Sequence, residues 1–372
     1  MLWNKKTTSL DSRKGGGLVL VLALGLATEV ANADFTFGTP SNLGPTVNSQ
    51  AEEAEPSISA DGLELFFSGN RSGGSGNWDI WVATRTTTDD DWRVPVNLGP
   101  TVNSSAHDLQ ATISADGLEL YFASRRSDGF GTYDAWVTRR AAKGDDWAPP
   151  VNLGPPFNTS SKDFATISAD GLELYITSNC PGSFGSTDLW VSTRATTEDD
   201  WGTPVNLGPT VNSPYSEGRP KISADGLMLF FSDGTADQRP DGFGDSDIWM
   251  TMRKTRDAEW SEPVNLGPVV NTQYIDRGAS PSADGSTLYF CSNRPGGMGG
   301  YLDLWQVSID PVVDLNGDGI VDAADMCIIV DHWGTDEPLC DIGPMPWGDG
   351  IVDVQDLIVL AEHLFEEVPQ VQ

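Results

Sequence analysis

The sequence predicts a mainly β fold, a five-bladed β-propeller closed by an N-terminal strand, followed by a small all-α calcium-binding module. Three observations carry that expectation. One phrase recurs five times at a spacing of 54 to 59 residues, each copy holds four short strand candidates, and the first copy of the fourth-strand phrase stands ahead of any first strand. At Val312 the repeat stops and a dense acidic loop begins.

Taken in chain order, residues 1–33 read as a secretion signal. Lys5, Lys6, Arg13 and Lys14 precede the apolar run LVLVLALGLA at 18–27, and Ala31-Asn32-Ala33 supplies the small-x-small cleavage pattern. The run is about 10 residues, too short for a membrane span of about 20, so no span is expected after cleavage and the protein is expected outside the cell.

The repeat occupies residues 34–311. Ser-Ala-Asp-Gly ends at Gly62, Gly117, Gly171, Gly226 and Gly285. An Asp-apolar-Trp element follows at Asp79, Asp134, Asp188, Asp247 and Asp303, and Asn-Leu-Gly-Pro begins at Asn42, Asn97, Asn152, Asn206 and Asn265. In the first copy the strand candidates are 56–59, 63–67, 80–84 and 92–98, with Ala60-Asp61-Gly62 as the hairpin turn between the first two. Four antiparallel strands per self-similar unit describe a propeller blade, and the displaced phrase at 37–45 completes the last one. Closure removes the open edges a solenoid of the same units would expose.

Composition narrows function. With 22 Lys and Arg against 54 Asp and Glu, a net charge of -32, the chain lacks the basic footprint that nucleic acid or an anionic membrane demands. Of the three His only His107 falls in the propeller, with no nucleophile signature near it, so a serine triad is not expected.

Strand order puts the loops between strands two and three, and those from strand four to the next blade, on one face. Long loops on a rigid scaffold are the usual seat of binding. Just before each first strand stand Glu53, Asp108, Lys162, Glu217 and Asp276, expected near the channel mouth. The long loops carry Phe130, Phe184, Phe243 and Met298, with Ser75 as the odd member. The expected ligand residues are therefore Glu53, Asp108, Glu217, Asp276, Phe130, Phe184, Phe243 and Met298, an acidic mouth ringed by apolar side chains that suits a carbohydrate or peptide. Catalytic residues are not expected, because these acids arise from the repeat, whereas a glycosidase needs a differentiated pair. The Asp before each Trp is expected to bond to nearby backbone N–H groups.

In the C-terminal module Asp314, Asn316, Asp318, Asp322 and Asp325 fall at positions 1, 3, 5, 9 and 12 of a calcium loop. Gly319 stands at the sharp turn, and Ile320 offers its carbonyl at position 7 while its side chain enters the core. A second, altered copy places Asp349, Ile351, Asp353 and Asp356 at positions 5, 7, 9 and 12, with Asp341 reaching back as a substitute ligand. Helical runs at 326–332 and 357–365 follow, with Ile329, Val330, Leu360, Ala361 and Leu364 available to pack together. Cys327 and Cys340 are expected to pair in a secreted chain.

The paired Ser-Ala-Asp-Gly and Asp-Ile-Trp elements resemble the WD-like propeller repeats of the TolB type over about 275 residues, although that type usually has six blades. Residues 312–367 resemble a type I dockerin, with 368–372 as a tail. That resemblance implies a calcium-folded module that docks on a cohesin-like or cell-surface partner, often in polysaccharide-degrading assemblies. The partner-reading positions hold Ala323 and Ala324, then Val354 and Gln355, in place of the Ser-Thr pair of many relatives. Function then divides between a secreted, non-catalytic recognition propeller, expected as a monomer, and a carbohydrate-active hydrolase.

Overall fold

The computed structural model describes residues 35–158, 164–335, 337–343 and 351–368. The expected signal at 1–33, Lys162, Asp349 and the end of the tail lie outside the described residues.

Five antiparallel sheets form the propeller, each with its first strand on the axis. Blade one is β3 (Glu53–Ile58), β4 (Glu64–Gly69), β5 (Asp79–Thr84) and β6 (Val96–Asn97); blade two is β7 (Asp108–Ile113), β8 (Glu119–Ser124), β9 (Asp134–Arg139) and β10 (Val151–Asn152). Blade three is β11 (Phe164–Ile167), β12 (Glu173–Ser178), β13 (Asp188–Thr193) and β14 (Val205–Asn206); blade four is β15 (Glu217–Ile222), β16 (Met228–Asp233), β17 (Ile248–Met252) and β18 (Val264–Asn265). Blade five joins β19 (Asp276–Pro281), β20 (Thr287–Ser292) and β21 (Asp303–Pro311) to the N-terminal β2 (Ser41–Asn42) and β1 (Phe35–Phe37). Asn42 lies opposite Trp305, and Phe35 opposite Pro311, so the displaced phrase closes the ring as its position in the sequence requires.

The first strands start earlier than expected, at Glu53 in blade one, and the fourth strands are only two residues long. Residues 92–95 stay outside the ladder because Pro95 has no N–H to give it, and only the Arg93 amide reaches strand three, on the Thr84 carbonyl.

Apolar cores lie between neighbouring blades. Phe66, Ile80 and Trp136 join blades one and two, while Phe67, Trp81, Tyr289 and Leu304 join blade one to blade five. The Asp-Gly turns are set by side chains: Ser59 Oγ donates to Asp61 Oδ1 at 2.6 Å, and Gly62 takes a φ of 70°. The Asp of each Asp-x-Trp element binds loop amides as expected. Asp188, for example, accepts from the amides of Phe184 and Gly185 and from the Asn206 side chain. Among the described residues no helix is long and apolar enough to cross a membrane.

The C-terminal module repeats itself. Beyond the single helical turn α1 (Gly44–Val47) that follows β2, helices α2 (Ala323–Asp331) and α3 (Val354–Glu362) each start from an Asp cap, Asp322 or Asp353, whose own amide donates back to Asp325 or Asp356. Two positions differ from expectation. Val321 and Val352 enter the core while Ile320 and Ile351 face solvent, because Val321 exchanges backbone bonds with Phe365 and Glu366, and Val352 with Gly334 and Thr335. Val330 and Ala361 are also exposed, leaving Ile329, Leu360 and Val359 to the core. No disulfide joins Cys327 and Cys340, because Cys327 lies on the exposed face of α2 and Cys340 is buried in the core.

Candidate ligand-binding site on the propeller axis

The repeated acids do not line an open mouth. Glu53, Asp108, Glu217 and Asp276 are fully buried, and each is paired to an arginine of its own blade: Arg71, Arg126, Arg239 and Arg294, at 2.6 to 3.0 Å. Each acid also accepts from a hydroxyl four residues earlier, Ser49, Ser104, Ser213 or Thr272. Each arginine reaches a valine carbonyl, as Arg126 does to Val102 at 2.7 Å, and lies over the Phe and Trp of its blade. The physical reason for the correction is desolvation: a carboxylate taken out of water at the start of a strand must be paired, and the repeat supplies the partner. In the third repeat Lys162 and Cys180 stand at the same 18-residue separation as Glu53 and Arg71, so acid and arginine are lost together.

The four apolar side chains of the long loops reach solvent. Phe130, Phe184, Phe243 and Met298 are 66%, 50%, 46% and 37% exposed, each on a loop whose amide is bonded to the Asp of its blade.

Inside this rim a funnel of about 590 Å³ opens on the axis. Its floor is built by a bulge two residues into the first strand. In blades one, two, four and five the pairing register slips there, and Glu55, Gln110, Arg219 and Gly278 take φ of 58°, 52°, 57° and 66°. Hydroxyls of the preceding blade hold three of these bulges: Ser68 Oγ accepts from the Gln110 amide, Thr177 Oγ1 from that of Arg219, and Ser232 Oγ from that of Gly278. In blade three, β11 runs without a register shift from Phe164 onward, and the preceding blade offers Ala123 where the blades before two, four and five offer a hydroxyl. A side chain on Gly278 would crowd Glu55, with its Cβ 3.3 Å from the Glu55 Cα.

The bulge therefore aims unlike side chains at one point. Glu55 Oε1 accepts from Arg219 Nε at 2.8 Å and Glu55 Oε2 from Gln110 Nε2 at 2.9 Å, while Arg277 Nε stands 3.8 Å from Glu55. Burial alone would raise the Glu55 carboxyl, but the guanidinium groups of Arg219 and Arg277 outweigh it and hold it below the usual range. Below them, the buried Lys221 donates to the Ala111 carbonyl and Thr112 hydroxyl, and burial pushes its ammonium down to about 7 against the pull of Glu55. On one wall Trp78, His107, Tyr133 and Phe164 form an aromatic arc, with the Tyr133 and Phe164 rings 5.5 Å apart. Asp233, Asp237 and Glu217 line the same funnel.

The sequence reading set His107 aside as a lone histidine without a nucleophile nearby and missed every bulge residue. The signal was available: two places after Glu53 and its counterparts the five copies read Glu55, Gln110, Phe164, Arg219 and Gly278, all different although a Pro or Ala always follows.

In the module, Asp314 accepts from the amides of Gly317, Asp318 and Gly319, and Asp325 braces those of Asn316 and Asp322. Gly319, at φ 92°, makes the turn. Residue types and backbone fit a hard cation, although the oxygens are turned onto loop amides, and among the described residues no three His, Cys, Asp or Glu converge closely enough to hold a metal as they stand. In the second loop Gly343 donates to Asp356 Oδ1 at 2.8 Å, as Asn316 does to Asp325 Oδ1 at 3.0 Å. Asp341 thus occupies the place of Asp314, two residues earlier.

No protein-family model matches the sequence, and no curated protein does. The fold is similar to solved structures at low identity. The α-L-arabinofuranosidase from Lactobacillus brevis shares 14% identity with a TM-score of 0.49 over 72% of this chain and 92% of that one. Zg3597, a family 117 glycoside hydrolase of Zobellia galactanivorans, shares 12% with a TM-score of 0.49 over 75% and 92%. TolB from Acinetobacter baumannii shares 12% with a TM-score of 0.44 over 69% of this chain, which spans only 54% of that protein. Fold likeness at this level leaves function to the site.

Proposed function

We propose that the chain is a secreted recognition protein whose propeller binds a ligand at the axial funnel without turning it over. Its C-terminal module folds around calcium, held by Asp314, Asn316, Asp318, Asp322, Asp325 and the Ile320 carbonyl, and docks on an extracellular or cell-surface partner of the cohesin-like kind. The observation that carries the binding reading is the funnel's floor: its one carboxylate, Glu55, is already engaged by Arg219 and Gln110 and kept ionised, which suits neither a general acid nor a free nucleophile. A panel of polysaccharides and oligosaccharides, scored for both binding and cleavage, tests it. Binding without product is expected, and cleavage abolished by one carboxylate substitution overturns it.

The hydrolase reading has one observation in its favour. Burial raises Glu217 to about 7, a value fit for a general acid, although Ser213 and Arg239 oppose the rise. Glu217 is nonetheless fully buried and is a member of the repeated acid set.

A further inference from the structure

We propose that the axial funnel recognises an acidic sugar residue, its carboxylate or sulfate held by Arg219 and Arg277 and a neighbouring hydroxyl by Gln110; this rests on the recognition reading above and deepens it. Charge is the first reason. In a chain of 22 basic and 54 acidic residues, Arg219, Lys221 and Arg277 are gathered on the axis, and Glu55 alone faces them. The acids of the wall do not redress the balance. Asp233 is taken up by the amides of Arg239 and Asp247 and the Trp249 indole, Glu217 by Ser213 and Arg239, and Asp237 accepts from Ser216 Oγ at 3.3 Å.

Unmet hydrogen bonds are the second reason. Arg277 Nε, too far from Glu55 to bond it, is a buried donor without a hydrogen-bond partner, and Gln110 Oε1 is a buried acceptor without one. The orientation of the Gln110 amide is fixed, because its nitrogen must face the Glu55 carboxylate. Buried polar groups left unpaired are costly, and a ligand offering an anion beside a hydroxyl satisfies both. The third reason is the aromatic arc of Trp78, Tyr133 and Phe164, which lines the same funnel beside Arg219 and offers flat apolar area to a sugar ring. Glu55, Gln110 and Arg219 all hold left-handed backbone that non-glycine residues adopt at a cost, and such strain gathers at ligand sites.

Calorimetric titration of the full-length protein tests the assignment with four probes of equal length: trigalacturonate, a 6-O-sulfated galactotriose, neutral galactotriose and an Asp tripeptide. At least one acidic saccharide is expected to bind about tenfold or more tighter than the neutral one, and the first two probes distinguish carboxylate from sulfate. Arg219→Gln and Arg277→Gln should each weaken that binding by about tenfold and leave weak neutral binding unchanged, with Arg219→Lys partly restoring it. Glu55→Gln should tighten it, a gain that a merely structural Glu55 would not give, and this variant also keeps the proposal falsifiable if the arginine variants do not fold. Equal affinity for acidic and neutral saccharides, preference for the tripeptide, or no gain from Glu55→Gln overturns the acidic-sugar assignment while the recognition reading stands. Absence of binding by all four probes overturns both.

Discussion

Glu55 of blade one and Arg219 of blade four, 164 residues apart in the chain, meet across the propeller axis with 2.8 Å between Oε1 and Nε. They are the point at which a fivefold scaffold stops being fivefold.

Removing the acid from that meeting should be costly. Glu55→Ala leaves Arg219, Arg277 and Lys221 without their counter-charge, and breaking a buried ion pair typically costs about 3 to 5 kcal/mol. Denaturant melts of the variant should reveal a loss of that order, and a change below about 1 kcal/mol would contradict the pairing.

The repeated acid and arginine should behave as a unit. Asp108→Ala strands Arg126 in a buried site and is expected to cost more than the double replacement Asp108→Ala/Arg126→Leu, because removing both charges is often close to neutral. A double-mutant cycle measures the coupling; additive losses would show that the pair is not coupled.

Glu217 ties stability to pH. Its folded value near 7 lies above the ordinary 4.5, so the stability it lends is full below about 4.5 and is lost as the pH rises through 7. Glu217→Gln does not titrate, and relative to wild type it should gain on the order of 3 kcal/mol between those limits. Melts at pH 4.5 and 7.5 check the sign: no relative gain at the higher pH would contradict the raised carboxyl.

Closure should be the propeller's main guard. Deleting residues 35–42 removes β1 and β2, exposes the edge of β21 and empties the place of Phe35 in the core between blades four and five. A large fall in melting temperature is expected, and a truncated protein that melts within a degree or two of the parent would refute it.

Chelation should act on the module alone. Asp314, Asp318, Asp322 and Asp325 crowd four like charges into one loop, and a ligand bound only to the folded state adds stability by mass action. In calorimetry of the full chain a chelator should shift one transition and spare the propeller's; coincident traces would rule out calcium dependence.

Much of the architecture was legible in the sequence because it is written five times. The Asp-Gly turns, the Asp-x-Trp strand and the orphan phrase at 37–45 each depend on short-range chemistry that repeats with the chain. The site was not legible for the opposite reason. Position relative to the strand start suggested that Glu53 and its counterparts face the channel, but the bulge after them turns the next-but-one residue inward and leaves the acid to its arginine. Three of the four register slips are held by a hydroxyl on the neighbouring blade, such as Ser68 under Gln110, and pairing across 42 residues is not visible in a local pattern. In the module the side chain expected to point inward, Ile320, faces solvent, and Val321 enters the core because its backbone pairs with residues beyond α3.

The strand that seals the ring also sets how the molecule bears load. Because Phe35 lies opposite Pro311, the chain enters and leaves the propeller at the same end of one antiparallel pair. A pull between the segment before β1 and the module after β21 would not stretch the ring. It would peel β1 from β21 one rung at a time, from Phe35 toward Phe37, and would reach the other four blades only after the seal had opened. Tension would therefore find the propeller's seam first.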